Sequence, residues 1–209
     1  MTATEPIHVD FLGERVAVKP LAMMNKWEFQ FHAARILGGP VLNAACAEDG
    51  SGLGDKFDAT NLDIQIVDDA TGHDHRTLKN FVHGSVLKMP FERQTYKTVV
   101  LGEFLEHCTF DAAVAAITEC RRVLFSGGYL AMTIPLDVEP LEEHTGTIAE
   151  YDSGITPYHQ TLWSPKRMKS LIEKVAMVVT YKKSIIYPED IFGDHPKVGW
   201  GIVLKNERP

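Results

Sequence analysis

The chain has 209 residues, 44% of them hydrophobic and 23% charged, with a net charge of −7. That length suits one α/β domain, residues 1–209, able to bury roughly 70% of its unfolded surface without a disulfide or metal staple. The acidic balance gives no electrostatic footprint for a nucleic acid, no stretch approaches the ~18 apolar residues of a membrane span, and no basic-then-apolar leader opens the sequence.

Residues 1–20 read as an arm or short strands. Residues 21–37 are predicted helical, because Met24, Trp27, Phe31, Ala34 and Ile36 recur near helical spacing, and Gly38-Gly39-Pro40 ends the helix. Val41–Cys46 is a short apolar strand running into a turn, Ala47–Gly54. Leu62–Val67 reads as a second strand closed by Asp68-Asp69, Phe81–His83 as a third ending near Gly84-Ser85, and Thr98–Leu101 as a fourth. Thr109 or Asp111 can start the next helix, whose apolar stripe is Ala113, Ile117, Cys120 and Leu124. Ser126-Gly127-Gly128 is the expected break before a fifth strand, Tyr129–Ile134.

The stretch Leu136–Gly154 is long, acidic and without clear periodicity, as lids and binding loops often are. Ser164-Pro165 starts a helix with Met168, Leu171, Ile172 and Val175 on its buried face. Met177–Tyr181 and Val198–Leu204 are two last strands, a pair at one sheet edge. Strands alternating with helices call for a parallel or mostly parallel α/β sheet. The three cysteines, Cys46, Cys108 and Cys120, have no metal spacing and read as reduced, partly buried thiols of a cytoplasmic protein.

Several segments carry a resemblance in order. The apolar run Val99-Val100-Leu101 stops at Gly102 and turns into Glu103-Phe104-Leu105-Glu106-His107. Val41-Leu42-Asn43-Ala44-Ala45-Cys46-Ala47-Glu48-Asp49-Gly50 is similar to a hydrophobic strand followed by a Gly-x-Gly-x-Gly turn. Met89-Pro90-Phe91 with Tyr96–Val100, Arg121–Leu124 with Gly127-Gly128-Tyr129-Leu130, and Tyr158-His159 with Leu162–Pro165 complete the set. Together, over roughly residues 40–180, they resemble the class I S-adenosylmethionine (SAM) dependent methyltransferases of the small-molecule, "type 11" kind. The resemblance implies a Rossmann-like, mostly parallel seven-stranded sheet with helices on both faces and the last strand antiparallel. The sequence departs from the family at Asn43, where an acid is usual, and at Ala45, Ala47 and Asp49, which stand at the three glycine positions.

The resemblance also implies a cofactor, SAM, and where each part of it would lie. Asp68, with Asp69 next, is expected to accept from the ribose diol at the end of the second strand. Ser85 would meet the adenine edge, and Val86 would offer its backbone N–H and an apolar face. The methionine end would meet the turn at Asn43, Ala45 and Ala47, the backbone of Gly102 and the side chain of Glu103. Methyl transfer needs alignment more than a residue signature. Where a base is used, His107 and His159 are the candidates, with His144 behind them.

Residues 136–160, with Tyr151, Tyr158 and Trp163 nearby, form the expected acceptor wall, and the helix around Trp27, Phe29 and Phe31 its cover. The expected partner is a small organic acceptor, with neither membrane nor nucleic acid; a homodimer or a protein partner stays open. The degenerate glycine turn sets up an alternative, a non-catalytic methyltransferase-like binding subunit with weakened or lost SAM binding. A nicotinamide-dependent oxidoreductase is the third reading, opposed by the missing Gly-x-Gly-x-x-Gly turn.

Overall fold

The structure, a computed structural model, describes residues 7–18, 24–47, 52–67, 72–135, 160–161, 163–186 and 198–207. In chain order these form β1 (Ile7–Phe11), β2 (Glu14–Val18), α1 (Lys26–Leu37), β3 (Val41–Ala44), α2 (Leu53–Phe57), β4 (Thr60–Asp63), β5 (Phe81–His83), β6 (Tyr96–Gly102), α3 (Phe110–Val123), β7 (Leu124–Pro135), α4 (Pro165–Val175), β8 (Val178–Ile186) and β9 (Val198–Lys205).

β1 and β2 make a separate antiparallel hairpin, and seven strands make one sheet in the order β5-β4-β3-β6-β7-β9-β8. β3, β4, β5, β6 and β7 run parallel; β9 lies antiparallel between β7 and β8. The order reverses between β3 and β6, which makes the carboxyl ends of those strands the natural crevice of the sheet.

Alternation along the strands divides the core in two. Leu130, Met132, Ile202 and Leu204 face α3 and α4 in the larger cluster, while Ala131 and Val203 face α1 and the β1–β2 hairpin in a second one. This is the period-2 pattern of a sheet covered on both faces. α1 is held at its start by Asn25, whose side chain accepts from the Glu28 N–H while Glu28 returns a bond to the Asn25 N–H. α3 is capped by Thr109, and α4 by Ser164 with Pro165 at its first turn. All three cysteines are buried and unpaired with one another.

The short strands allowed for within residues 1–20 are β1 and β2, joined by a two-residue turn, Leu12 and Gly13, both at positive φ. The structure corrects three sequence expectations. The first strand stops at Ala44, because Ala45 turns left-handed at φ 53°. The second strand is Thr60–Asp63 rather than Leu62–Val67: Asp63 accepts from the Gln65 N–H at 2.9 Å and turns the chain out of the sheet. Ile66 and Val67 are then exposed, at 37% and 45%. Finally, Leu124 begins β7 rather than closing the helix stripe, and Ser126–Gly128 is an excursion within that strand, where the pairing with β6 shifts register.

Candidate functional site

The carboxyl ends of β3, β4, β6 and β7 lie along one edge of the sheet, and the residues there are built by local geometry. Ala45 and Ala47 both take left-handed φ, 53° and 43°. This is the conformation that glycine adopts without strain, and each alanine holds it at a cost of about 1 kcal/mol. The turn after β3 therefore keeps the shape of a glycine turn although its side chains are alanine.

A hydrogen bond from the Ala47 N–H to Asp63 Oδ2, 3.0 Å long, ties this turn to the end of β4. Asp63 is 7% exposed and is the acid that the fold delivers to the end of the second strand. Asp68 and Asp69, the ribose acceptors expected from the sequence, lie outside the described residues. One strand back, Asn43 and Asn61 are buried side by side. Asn43 donates to Asn61 Oδ1 at 2.9 Å, and Asn61 donates to the Lys79 carbonyl. Asn43 thus braces β3 against β4.

Ser85 and Val86 follow β5. The Ser85 hydroxyl accepts from the Leu87 N–H at 3.0 Å, which leaves its own proton and a lone pair for another group. The Val86 side chain is buried in the larger core cluster.

At the end of β6, Gly102 has no room for a side chain: a Cβ there would lie 2.0 Å from Gln30 Nε2. Gln30, on α1, is 7% exposed and donates to Thr133 Oγ1 on β7 at 2.9 Å. Glu103 takes a left-handed φ of 52°, pinned by a bond from its N–H to the Thr133 carbonyl at 3.0 Å. Lys26, one helical turn before Gln30, brings its ammonium to 3.6 Å from Glu103 Oε2. Lys26, Gln30 and Thr133 were not singled out in the sequence.

His107 sits in a single 3-10 turn, Leu105–His107, with its side chain 25% exposed and Nε2 4.0 Å from Glu106 Oε1. The backbone N–H groups of Gln160 and Thr161 both donate to the Glu106 carbonyl, Gln160 Nε2 donates to the His107 carbonyl, and Thr161 Oγ1 donates to the Cys108 carbonyl. The chain that returns from residue 159 is thereby docked beside His107. His144, His159, Tyr151, Tyr158 and residues 136–159 as a whole lie outside the described residues. Burial, reinforced by Glu106, pushes the Cys108 thiol far above its ordinary range, so this cysteine is no nucleophile at neutral pH.

Trp163, expected near the acceptor wall, is 3% exposed and stacks on Phe110 at 6.2 Å, and Phe29, expected in its cover, is fully buried against Phe11; both pack in the core. Among the described residues no three histidine, cysteine or acidic side chains are grouped to hold a metal. No described helix is long and apolar enough to cross a membrane.

Residues 45–132 match the family model described as a methyltransferase domain. No curated protein matches the sequence. Among solved structures, the chain is similar to a SAM-dependent methyltransferase from Methanosarcina mazei, with 15% identity over 79% of this chain and 91% of that one and a TM-score of 0.57. It is similar to the 1,6-didemethyltoxoflavin-N1-methyltransferase of Burkholderia thailandensis, a structure with bound 1,6-didemethyltoxoflavin and S-adenosylhomocysteine, at 12% identity over 85% and 76% and a TM-score of 0.60. It is also similar to the [4+2]-cyclase SpnF, at 13% identity over 88% and 81% and a TM-score of 0.60. Residues 45–132 thus match a methyltransferase domain, and the sheet has the fold of these SAM-dependent methyltransferase structures, as the sequence resemblance implies.

Proposed function

We propose that this chain transfers a methyl group from SAM to a small organic acceptor. One observation carries the reading. Two alanines hold the backbone of a glycine turn, and that turn is hydrogen-bonded to a buried carboxylate at the end of the next strand. A turn that had lost its ligand would have no reason to keep two left-handed alanines. Bound SAM would supply an electrophilic methyl group on a positively charged sulfur.

The chain's own residues do the rest. Asp63 is oriented by the Ala47 and Gln65 N–H groups and has lone pairs left to accept from the ribose hydroxyls. Ser85 stands at the end of β5, where the adenine edge would fall. Gly102, covered by Gln30, closes the floor between β6 and β7 and helps exclude water. His107 is the described side chain placed to take a proton from an acceptor that must lose one. The net charge of −7 favours a small acceptor over a nucleic acid.

The test is thermal unfolding with SAM, S-adenosylhomocysteine or NAD. A ligand at ~100 times its dissociation constant adds about 2.7 kcal/mol, a rise of roughly 5–10 °C for a chain of this size. The reading expects that rise with SAM and its product but not with NAD, and expects Asp63→Ala to abolish it. No rise with SAM would sink it in favour of the binding subunit; a rise with NAD alone would favour the oxidoreductase. SAM binding with no transfer to any acceptor would place the chain beside folds of this kind that serve other chemistry.

A further inference from the structure

β8 ends the sheet, and among the described residues no strand pairs with its outer edge. Two strands, β7 and β9, stand between it and β6. An edge strand of nine residues presents a row of N–H and C=O groups ready to pair with another chain. Val178 and Val179, where the strand begins, are 45% and 43% exposed. A groove of about 210 Å³ runs between β8 and α4, lined by Met168, Ile172, Val179 and Ile202 and rimmed by Lys169 and Lys182. Small-molecule sites take roughly 300–1,000 Å³. This groove suits a side chain or two of a peptide better than a whole ligand.

Charge decides what kind of peptide. From Ser164 to Ile186 the chain carries six lysines and arginines and one acid, Glu173, although its net charge is −7. Glu173 is already 3.9 Å from Lys169. Lys182 pairs with Ile202 and lies on the α4 face of β8, its Nζ 3.7 Å from the centre of the Trp200 ring. Lys183, the next residue, lies on the opposite face. A second β8 laid antiparallel along this edge would set lysine against lysine, which disfavours pairing two copies of this chain there. An acidic strand meets a lysine on each face.

We propose that the outer edge of β8 and the groove beside it dock an extended acidic segment of a partner protein, added to the sheet as a further strand. The segment's backbone completes the ladder that β8 leaves open, and its carboxylates face Lys182, Lys183 and Lys169. An apolar side chain on its α4 side enters the groove. The lysines give the edge its selectivity, repelling its own copy and attracting the acidic strand. Nothing in this docking requires the SAM reading.

The experiment is fluorescence anisotropy of a labelled, capped peptide in which glutamate alternates with valine, titrated with the whole chain. The glutamate peptide is expected to bind roughly tenfold or more tightly than its glutamine and lysine counterparts, and to weaken as salt rises. Lys182→Glu and Lys183→Glu together should lose about tenfold, while Lys88→Glu with Arg93→Glu, the same change of charge between β5 and β6, should stay within about twofold of wild type. A readout that alters no residue of the protein covers a double variant that fails to fold. Methylating alternate backbone nitrogens of the peptide removes ladder donors from one side of the strand. One of the two alternately methylated peptides should lose about tenfold and the other should keep its affinity. Equal binding of the glutamate and glutamine peptides, equal loss in both double variants, or equal affinity of the two methylated peptides overturns the proposal. Binding of phosphatidylserine vesicles but not of the peptide would give the surface to a membrane. A dimer in sedimentation that the Lys182 and Lys183 variant disrupts would give it to a second copy. Either result overturns the proposal.

Discussion

The two halves of the sheet are built differently. β3, β4 and β5 have 4, 4 and 3 residues, and the crossovers on that side carry a five-residue helix and a 3-10 turn of 3 residues. β6, β7, β9 and β8 have 7, 12, 8 and 9 residues and pack under α3 and α4, of 14 and 11 residues. The long half buries Ile117, Leu130, Ile202 and Leu204 almost fully between its strands and helices. The short half instead holds left-handed alanines, a buried carboxylate and an asparagine pair. One half provides the rigid frame and the other spends backbone regularity on positioning polar groups, as sites set on rigid scaffolds generally do.

The largest expected effect lies in the long half. A Cβ on Gly201 would fall 2.2 Å from Cε2 of Phe29, a ring that is fully buried and packed edge-on against Phe11. Gly201→Ala should therefore cost about 3 kcal/mol in denaturant unfolding. A loss below ~1 kcal/mol would mean that α1 repacks easily and that the frame is softer than described.

Next comes the asparagine pair. Asn61→Ala strands the Asn43 amide and the Lys79 carbonyl, and should cost about 2 kcal/mol. Here stability and ligand affinity should fall together, because Asn43 lies directly before the left-handed turn. Separate behaviour of the two quantities would break the proposed division between the halves.

A smaller effect appears only in acid. Burial works to raise the pKa of Glu119, but hydrogen bonds from Arg122 and from the Met89 N–H outweigh it and hold the carboxyl below its ordinary 4.5. A depressed carboxylate pKa gives stability that is present above the unfolded value and is lost as pH falls through the folded one. Glu119→Gln should therefore flatten the stability curve below about pH 4.5, and an unchanged acid limb in urea titrations would count against this role.

The smallest change should be a gain. Ala45→Gly and Ala47→Gly relieve left-handed strain while adding freedom to the unfolded chain, a net stabilisation of about 0.5 kcal/mol each. Destabilisation by either variant, measured by thermal unfolding, would show that the methyl groups contribute packing that outweighs the strain.

Much of this architecture was legible in the residues. Ser164-Pro165, Thr109 and the break at Gly38-Gly39-Pro40 mark helix ends by local chemistry, and the structure places them accordingly. Expectations failed where local pattern and tertiary pairing disagreed. The alternation of Leu62, Ile64 and Ile66 extends the second strand on paper, but Asp63, the last residue paired with β5, accepts from the Gln65 N–H and turns the chain out of the sheet. The one signal of this was an aspartate two residues before Gln65, the spacing of a side chain that accepts from the backbone and ends a strand. Gln30 carried a signal too: a polar residue at i−3 and i−4 from the buried Ala33 and Ala34, inside an apolar stripe.

By itself the sequence determined the fold class, the order of strands and helices, and the resemblance that points to SAM, because periodicity, caps and turn residues act over a few positions. Only the tertiary structure decided which acid ends β4, that alanines can hold a glycine turn, and that Lys26 reaches Glu103. Those facts depend on where strands stop and on which helix face meets which strand end. Packing of segments distant in sequence sets that registration, and no local pattern encodes it.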